Sequence, residues 1–245
     1  MKKVKLFCIP YAGGSAFVYY KMKQYLNASI ELCPVELAGR GKRMRTPCYE
    51  SIDEAVDDIC GIIREKIDDS PYALFGHSMG GILAYEAQNR LIKAGKNAPV
   101  HLFLSAVRPP HLMGRQKVLH TLPDDEFIVE ILKFGGTDRR VFENDELSEF
   151  FIRLLKSDLK IIETYRYDKE YEVTKTDITA LSGKDDNITY DEMSEWEKYT
   201  SGKFKIFQFG GNHFFINSCT KEVADVINHE IAVDSGYEYQ VTKTL

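Results

Sequence analysis

Ala73-Leu74-Phe75-Gly76-His77-Ser78-Met79-Gly80-Gly81 is an apolar run that closes on Gly-x-Ser-x-Gly and passes at once into the helical pattern Ile82-Leu83-Ala84-Tyr85-Glu86-Ala87. Strand, sharp turn and helix in that order is the context in which this motif presents a nucleophile. A serine on so tight a turn has strained backbone angles. A side chain at Gly76 or Gly80 would collide with the neighbouring strand or helix. The turn lifts the Ser78 hydroxyl clear of the sheet, and the following helix aims free N-terminal amides at the same point.

Short apolar runs alternate with helical patterns on either side of this stretch. Val4–Ile9, Ile30–Val35, Tyr72–Phe75, Val100–Ser105, Asp177–Ser182 and Phe204–Phe209 read as strands. Phe17–Leu26, Ile52–Ile67, Gly81–Ala94, Asp191–Tyr199 and Thr220–Ala232 read as helices. The alternation predicts an α/β fold: a mostly parallel sheet with helices on both faces, its central strands buried on both sides. The pattern breaks between Arg108 and Asp168, where three or so amphipathic helices follow one another without a strand. Pro123 and Asp124 suit a helix start there, and Gly135-Gly136 a stop. Residues 1–107 and 169–245 therefore form the core. Residues 108–168 form a helical lid inserted over the carboxyl ends of the strands, where functional insertions gather. The polar residues from Asp234 onward are expected to fray.

A net charge of −5 over 245 residues gives no reason to expect a nucleic-acid partner, and no apolar run is long enough to span a membrane. The basic start, Met1 to Lys5, resembles that of a secretory leader. The apolar stretch after it, Leu6 to Ile9, is too short for one and ends in Pro10, so it reads as the first strand. Five scattered cysteines (Cys8, Cys33, Cys48, Cys60, Cys219), an odd number, fit reduced thiols and a cytoplasmic location better than a disulfide framework. No spacing suits a metal site.

Serine needs a base within hydrogen-bond reach and a third group to orient that base. After a nucleophile elbow, acid and base follow in that chain order. His213, in Phe209-Gly210-Gly211-Asn212-His213-Phe214-Phe215 beyond the last strand, is the one histidine late enough. His77 adjoins the nucleophile and is expected to pack the turn. His101, His111 and His120 precede the acidic member, and His229 is on a terminal helix. Ala180-Leu181-Ser182-Gly183-Lys184-Asp185-Asp186 offers the acid, with Asp186 favoured and Asp185 the alternative. The oxyanion calls for two backbone amides. Met79 supplies one, and the loop Pro10-Tyr11-Ala12-Gly13-Gly14-Ser15 the other, from Ala12 or from Gly13. That loop lacks the lysine and spacing of a phosphate loop.

Five segments occur together: Phe7 to Ser15, Glu36-Leu37-Ala38-Gly39-Arg40-Gly41-Lys42-Arg43, Phe75 to Gly81, Leu122-Pro123-Asp124, and Gly211-Asn212-His213-Phe214-Phe215. In this combination the chain resembles the type II (external, editing) thioesterases that accompany non-ribosomal peptide synthetases and polyketide synthases, from Lys5 to about Ala232. The resemblance implies an α/β-hydrolase fold with a helical lid. It places the nucleophile at Ser78, the acid at Asp186, the base at His213, and oxyanion amides at Ala12 and Met79. Ala38 stands where proline is usual, and Tyr11 where histidine or phenylalanine is common. The implied substrate is an acyl or aminoacyl group on the phosphopantetheine arm of an acyl or peptidyl carrier protein. The implied enzyme is a soluble monomer that needs no cofactor and no metal.

Arg40, Lys42, Arg43 and Arg45 form a basic run in an acidic chain. It reads either as a surface that steers acidic carrier proteins or as a solvated loop with Arg40 or Arg43 tied to a local carboxylate. Met22, Met79, Met113, Phe134 and the Phe150-Phe151 pair are candidates for a pocket lining or for plain core. Beside the editing thioesterase stand three other readings: a chain-releasing medium-chain thioesterase, a small-molecule esterase, and a non-catalytic adaptor that binds a synthetase. The Gly-Arg-Gly-Lys-Arg and Leu-Pro-Asp motifs weigh against the esterase, and the complete Ser-Asp-His set against the adaptor.

Overall fold

Every strand pairing in the sheet is parallel, as expected for strands that alternate with helices. The computed structural model describes residues 2–68, 70–114, 117–167 and 173–234, so the C-terminal residues expected to fray lie, from 235 on, outside the described residues. The strands are β1 (Val4–Ile9), β2 (Ile30–Pro34), β3 (Tyr72–His77), β4 (His101–Ser105), β5 (Asp177–Gly183) and β6 (Phe204–Phe209). Their order across the sheet is β2-β1-β3-β4-β5-β6. The chain moves outward from β1 to β2, then returns to place β3 on the other side of β1. The carboxyl ends of β1 and β3 therefore flank a switch point, where the connections leave for opposite faces and a crevice opens.

The helices are α1 (Ile52–Lys66), α2 (Met79–Lys93), α3 (Asp124–Lys133), α4 (Asp145–Glu163), α5 (Tyr190–Ser194), α6 (Phe215–Ser218) and α7 (Thr220–Asp234). Side chains alternate across each strand, so two cores form. Phe7, Ile9 and Leu74 meet Ile59 and Ile63 of α1 and Leu83 of α2 on one face. Leu6, Cys8 and Phe75 meet Tyr19 and α7 (Val223, Ile227) on the other. Ser51 starts α1 by accepting the Glu54 N–H, and Asn144 does the same for α4 with Leu147. All five cysteines carry free thiols.

Three stretches differ from the sequence reading, one of them Asp191–Tyr199, where α5 ends at Ser194 and Glu195–Tyr199 continues as a 3-10 helix. Ala16–Tyr25 is a 3-10 helix, not an α-helix. Its buried residues are Ala16, Tyr19 and Met22, a spacing of three that aligns into one stripe only at three residues per turn. Among the described residues between β4 and β5 there are two α-helices, α3 and α4, with 3-10 turns at Pro110–Leu112 and Arg139–Glu143. Pro123 precedes α3, and Gly135 turns the chain after it with φ +75°. This segment has a small core of its own, Leu119, Phe127, Ile131, Ile152 and Leu155.

The glycines around Ser78 have the close contacts expected of them. A Cβ on Gly76 would lie 2.0 Å from the Gly80 carbonyl oxygen, and one on Gly80 2.1 Å from that of Ile9. The start of α2 thus presses directly on the ends of β3 and β1. Gly80→Ala is expected to lose about 3 kcal/mol or more of stability in chemical unfolding, because backbone must move on both sides. Gly61 in mid-α1 has open space, so Gly61→Ala is expected to gain about 0.5–1 kcal/mol in the same assay.

Candidate active site

Ser78 sits between β3 and α2 with φ 54° and ψ −122°. A non-glycine residue reaches that region only when its surroundings over-determine it. Its N–H donates to the Ser105 carbonyl at 2.7 Å, which ties the turn to the end of β4. The Ser78 hydroxyl lies 2.9 Å from His213 Nε2. On the other side of the ring, His213 Nδ1 lies 3.0 Å from Asp186 Oδ2 and 3.2 Å from Oδ1. With the ring proton on Nδ1 donated to the carboxylate, Nε2 is left to accept from the serine. The Asp186 side chain is fully buried and also accepts the Ile188 N–H at 3.2 Å.

Short-range geometry separates the alternatives that the sequence left open. The Asp185 N–H donates to the Gly211 carbonyl at 3.0 Å, and Asp185 is exposed, away from His213. A Cβ on Gly183 would lie 2.5 Å from both the Gly211 and the Asn212 carbonyl oxygens. Only glycine lets the histidine loop close over the end of β5, which brings His213 to Asp186. The Gly13 N–H is occupied by Asp158 Oδ2 at 2.7 Å. The Ala12 and Met79 amides have no hydrogen-bond acceptor among the described residues, and both residues line the cavity that holds Ser78 and His213. Met79 is the first residue of α2, where an amide has no acceptor within the helix.

His77 packs the turn, as expected. It is buried, its Nδ1 lies 2.8 Å from Ser105 Oγ, and its ring meets Tyr11, Phe214, Phe215 and His213. Burial, with His213 nearby acting in the same direction, holds its pKa well below the ordinary imidazole range, so it stays neutral beside the base. His101 lies 2.8 Å from Thr179 Oγ1, and His111 and His120 pair with Glu195 and Glu163.

The cavity in front of Ser78 has a volume of about 630 Å³. Its wall is largely apolar, with Ile82, Met113, Ile131, Phe151, Leu155 and Ile162 prominent. Of the side chains weighed for a pocket, Met79, Met113, Phe134 and Phe151 line it, whereas Met22 belongs to the core under α7. The carboxylates on the wall are already engaged. Glu163 accepts the Leu119 and His120 amides at 2.9 and 3.1 Å, Glu130 pairs with Lys117 and Lys133, and Asp138 pairs with Arg140. Among the described residues no three histidine, cysteine or acidic side chains form a metal-binding group.

The basic run is not one exposed surface. Arg40 is buried in a bidentate pair with Asp158 of α4, and Arg43 makes a bidentate pair with Asp58 of α1. Lys42 and Arg45 remain exposed. The Asp158 partnership was not anticipated from the sequence. Its signal is a carboxylate on the same helical face as the buried Leu155, at a position where an apolar residue is expected.

The thioesterase-domain family profile matches residues 4–231. Thioesterase PikA5 of Streptomyces venezuelae is 32% identical over 234 residues, covering 95% of this chain and 83% of that protein. The medium-chain S-acyl fatty acid synthase thioesterase of Rattus norvegicus is 34% identical over 215 residues, covering 86% of this chain and 81% of the relative. The crystal structure of ClbQ from the colibactin NRPS/PKS pathway superposes with a TM-score of 0.91 at 36% identity, covering 96% of this chain and 99% of ClbQ. No described helix is long and apolar enough to cross a membrane. With an elbow serine, a histidine and a buried carboxylate in line at one cavity, and likeness over almost its full length, the chain belongs to the thioesterase-domain family.

Proposed function

We propose that the protein hydrolyses acyl groups from the phosphopantetheine thiol of carrier proteins, as an external editing enzyme that clears stalled or misprimed NRPS or PKS chains. The observation that carries this reading is the Ser78–His213–Asp186 chain at the mouth of a 630 Å³ apolar cavity, in a protein so similar to pathway thioesterases. Ser78 Oγ attacks the thioester carbonyl carbon while His213 Nε2 takes its proton. The negative charge that forms on the carbonyl oxygen is met by the Ala12 and Met79 amides. The tetrahedral species then collapses, the carbon–sulfur bond breaks, and His213 returns the proton to the leaving thiolate. Water repeats the attack on the acyl-serine with His213 again as base, the bond from the acyl carbon to Ser78 Oγ breaks, His213 returns the proton to Oγ, and the acyl group leaves as the free acid. Asp186 holds the ring in the tautomer that both steps need. Thiolate is a good leaving group, so positioning and the oxyanion amides supply most of the acceleration. No step as written uses a cofactor or a metal.

Residues 108–168 act as the lid. Ile131, Phe134 and Phe151 from this segment line the cavity in front of the serine. Because the carboxylates on the wall are already paired, the cavity suits a neutral acyl group better than a free ammonium. The likeness to the rat medium-chain enzyme supports chain release as the second reading. The enzyme is further taken to be a cytoplasmic monomer.

With Arg40 buried against Asp158 and the half-buried Arg43 paired with Asp58, we assign the docking surface for a carrier to the 3-10 helix Ala16–Tyr25. It contains no acidic residue, exposes Lys21 and Lys23, and presents Phe17 and Tyr20 at 76% and 51% exposure. Val18 of the same helix lines the cavity. Carrier proteins are acidic, so cations beside the mouth favour encounter.

Ser78→Ala is expected to lose at least about a thousandfold in turnover while still binding an acyl-carrier protein by calorimetry. Residual turnover near the parent rate would assign the nucleophile elsewhere. Rates on acetyl- and longer acyl-carrier proteins, on the same acyl groups carried by free pantetheine, and on matched oxygen esters separate the readings. Preference for short acyl-carrier thioesters supports editing, preference for long chains supports release, and faster oxygen-ester cleavage marks a general esterase. Lys21→Glu/Lys23→Glu is expected to reduce kcat/KM about tenfold on acyl-carrier protein and to leave acyl-pantetheine unchanged. An equal loss on both substrates would remove the docking role.

A further inference from the structure

The Ser78 turn is locked by backbone contacts on every side, but the loop that brings Ala12 to it has few of its own. Within that loop the Gly14 N–H donates to the Tyr11 carbonyl at 2.9 Å. The Tyr11 ring packs edge-on against His77 and Phe214, and the polar hold on Gly13 and Gly14 comes from α4 and from the segment after β2. Asp158 of α4 accepts the Gly13 N–H at 2.7 Å. The same carboxylate takes both ends of the Arg40 guanidinium, at 2.7 and 2.6 Å. Arg40 also donates to the Gly14 carbonyl at 2.9 Å and to the Ala38 carbonyl at 3.1 Å. The two side chains are 3% and 2% exposed. Phe151 and Leu155 lie on the same face of α4 as Asp158, and a Cβ on Gly13 would meet them at 3.3 and 3.2 Å. One helix face thus presses on Gly13 and takes its amide, while Arg40 fixes the next carbonyl.

We infer that Asp158 and Arg40 are positioning residues for the oxyanion hole, and that through them the seating of α4 sets whether the Ala12 amide is aimed at the substrate carbonyl. The inference rests on the reading of Ser78 as nucleophile and Ala12 as oxyanion donor. Binding the Gly13 N–H to Asp158 fixes the peptide plane next to the one that carries the Ala12 N–H. It also removes the Gly13 amide as a competing donor. Arg40 neutralises a carboxylate that would otherwise oppose an oxyanion forming near the same loop. Displacing α4 takes Asp158 with it, so the loop keeps its catalytic shape only while the lid is seated.

The decisive variant is Arg40→Met/Asp158→Leu. Replacing a buried ion pair by apolar groups is often neutral for stability, so the double variant separates folding from catalysis. Because the Gly13 amide and the Gly14 and Ala38 carbonyls lose their partners, it is expected to stay folded with a melting point lowered by several degrees, and to lose about 10- to 100-fold in kcat on acyl-pantetheine. KM, and the affinity for a thioether analogue that has no carbonyl, should stay within about threefold. Affinity for an alkyl boronic acid, which forms a tetrahedral anion on the serine, should fall in proportion to kcat/KM. Arg40→Lys keeps the charge beside Asp158 but loses the fork that also holds Gly14. It is expected to show the same signature at about tenfold, and it tests the inference alone if the double variant does not fold. A folded variant of either kind that keeps both kcat and boronate affinity overturns the inference. If Ser78→Ala is inactive in the same assays, only the positioning role has failed; if Ser78→Ala stays active, the reading of the site has failed first.

Discussion

Ser78 is held at φ 54°, a backbone conformation that an L-residue leaves unless its neighbours forbid it. Here they do. Its amide is tied to the end of β4, Gly76 touches Gly80, and Gly80 touches the last carbonyl of β1. Three adjacent strands and one helix therefore meet within a few ångströms, and none can shift without the others. Strain of about 1–3 kcal/mol is sustained because the surrounding sheet is rigid. The rest of the site is arranged around that fixed hydroxyl. The histidine loop closes over Gly183, the β1 loop brings Ala12, and side chains of α3 and α4 line the cavity in front.

The parts of this arrangement legible in the sequence are those encoded by local pattern. Buried parallel strands appear as apolar runs, and all six lie within two residues of where those runs place them. The elbow is marked by Gly76 and Gly80, which close approach explains, and His213 by Gly211, which takes φ +106° in the turn before it. Less legible was whatever depends on a partner far along the chain. A run of four cations has the same composition whether it faces water or not. Arg40 finds its carboxylate 118 residues later, on a helix whose docking no periodicity specifies. Asp185 and Asp186 are neighbours of one chemical type, and a backbone bond from Asp185 to Gly211 decides which faces the histidine. The 3-10 form of Ala16–Tyr25 was written in a spacing of three, but a stripe that short reads equally as one face of an α-helix.

Around His213 the surroundings are aromatic and nearly uncharged. Phe214 and Phe134 meet its ring, and His77, kept neutral by burial, lies on another side with Tyr11 beyond it. Among the described residues, Asp186 is the carboxyl side chain in contact with the His213 ring. In the role proposed for His213, a carboxyl group so placed favours the protonated ring that forms during the reaction.

The segment proposed as the lid lies between β4 and β5, which suggests a module that could be exchanged between relatives to change what the cavity admits. Its anchors argue otherwise. Asp158 needs Arg40, Tyr165 donates to Glu86 of α2 at 2.5 Å, and Ser157 donates to the Tyr49 carbonyl at 3.2 Å. Its own core is only five buried residues, too few to order it alone. A grafted segment would take the Asp158 carboxylate from the buried Arg40 and the Tyr165 hydroxyl from Glu86, so Arg40 and Glu86 belong with this segment in any transplant.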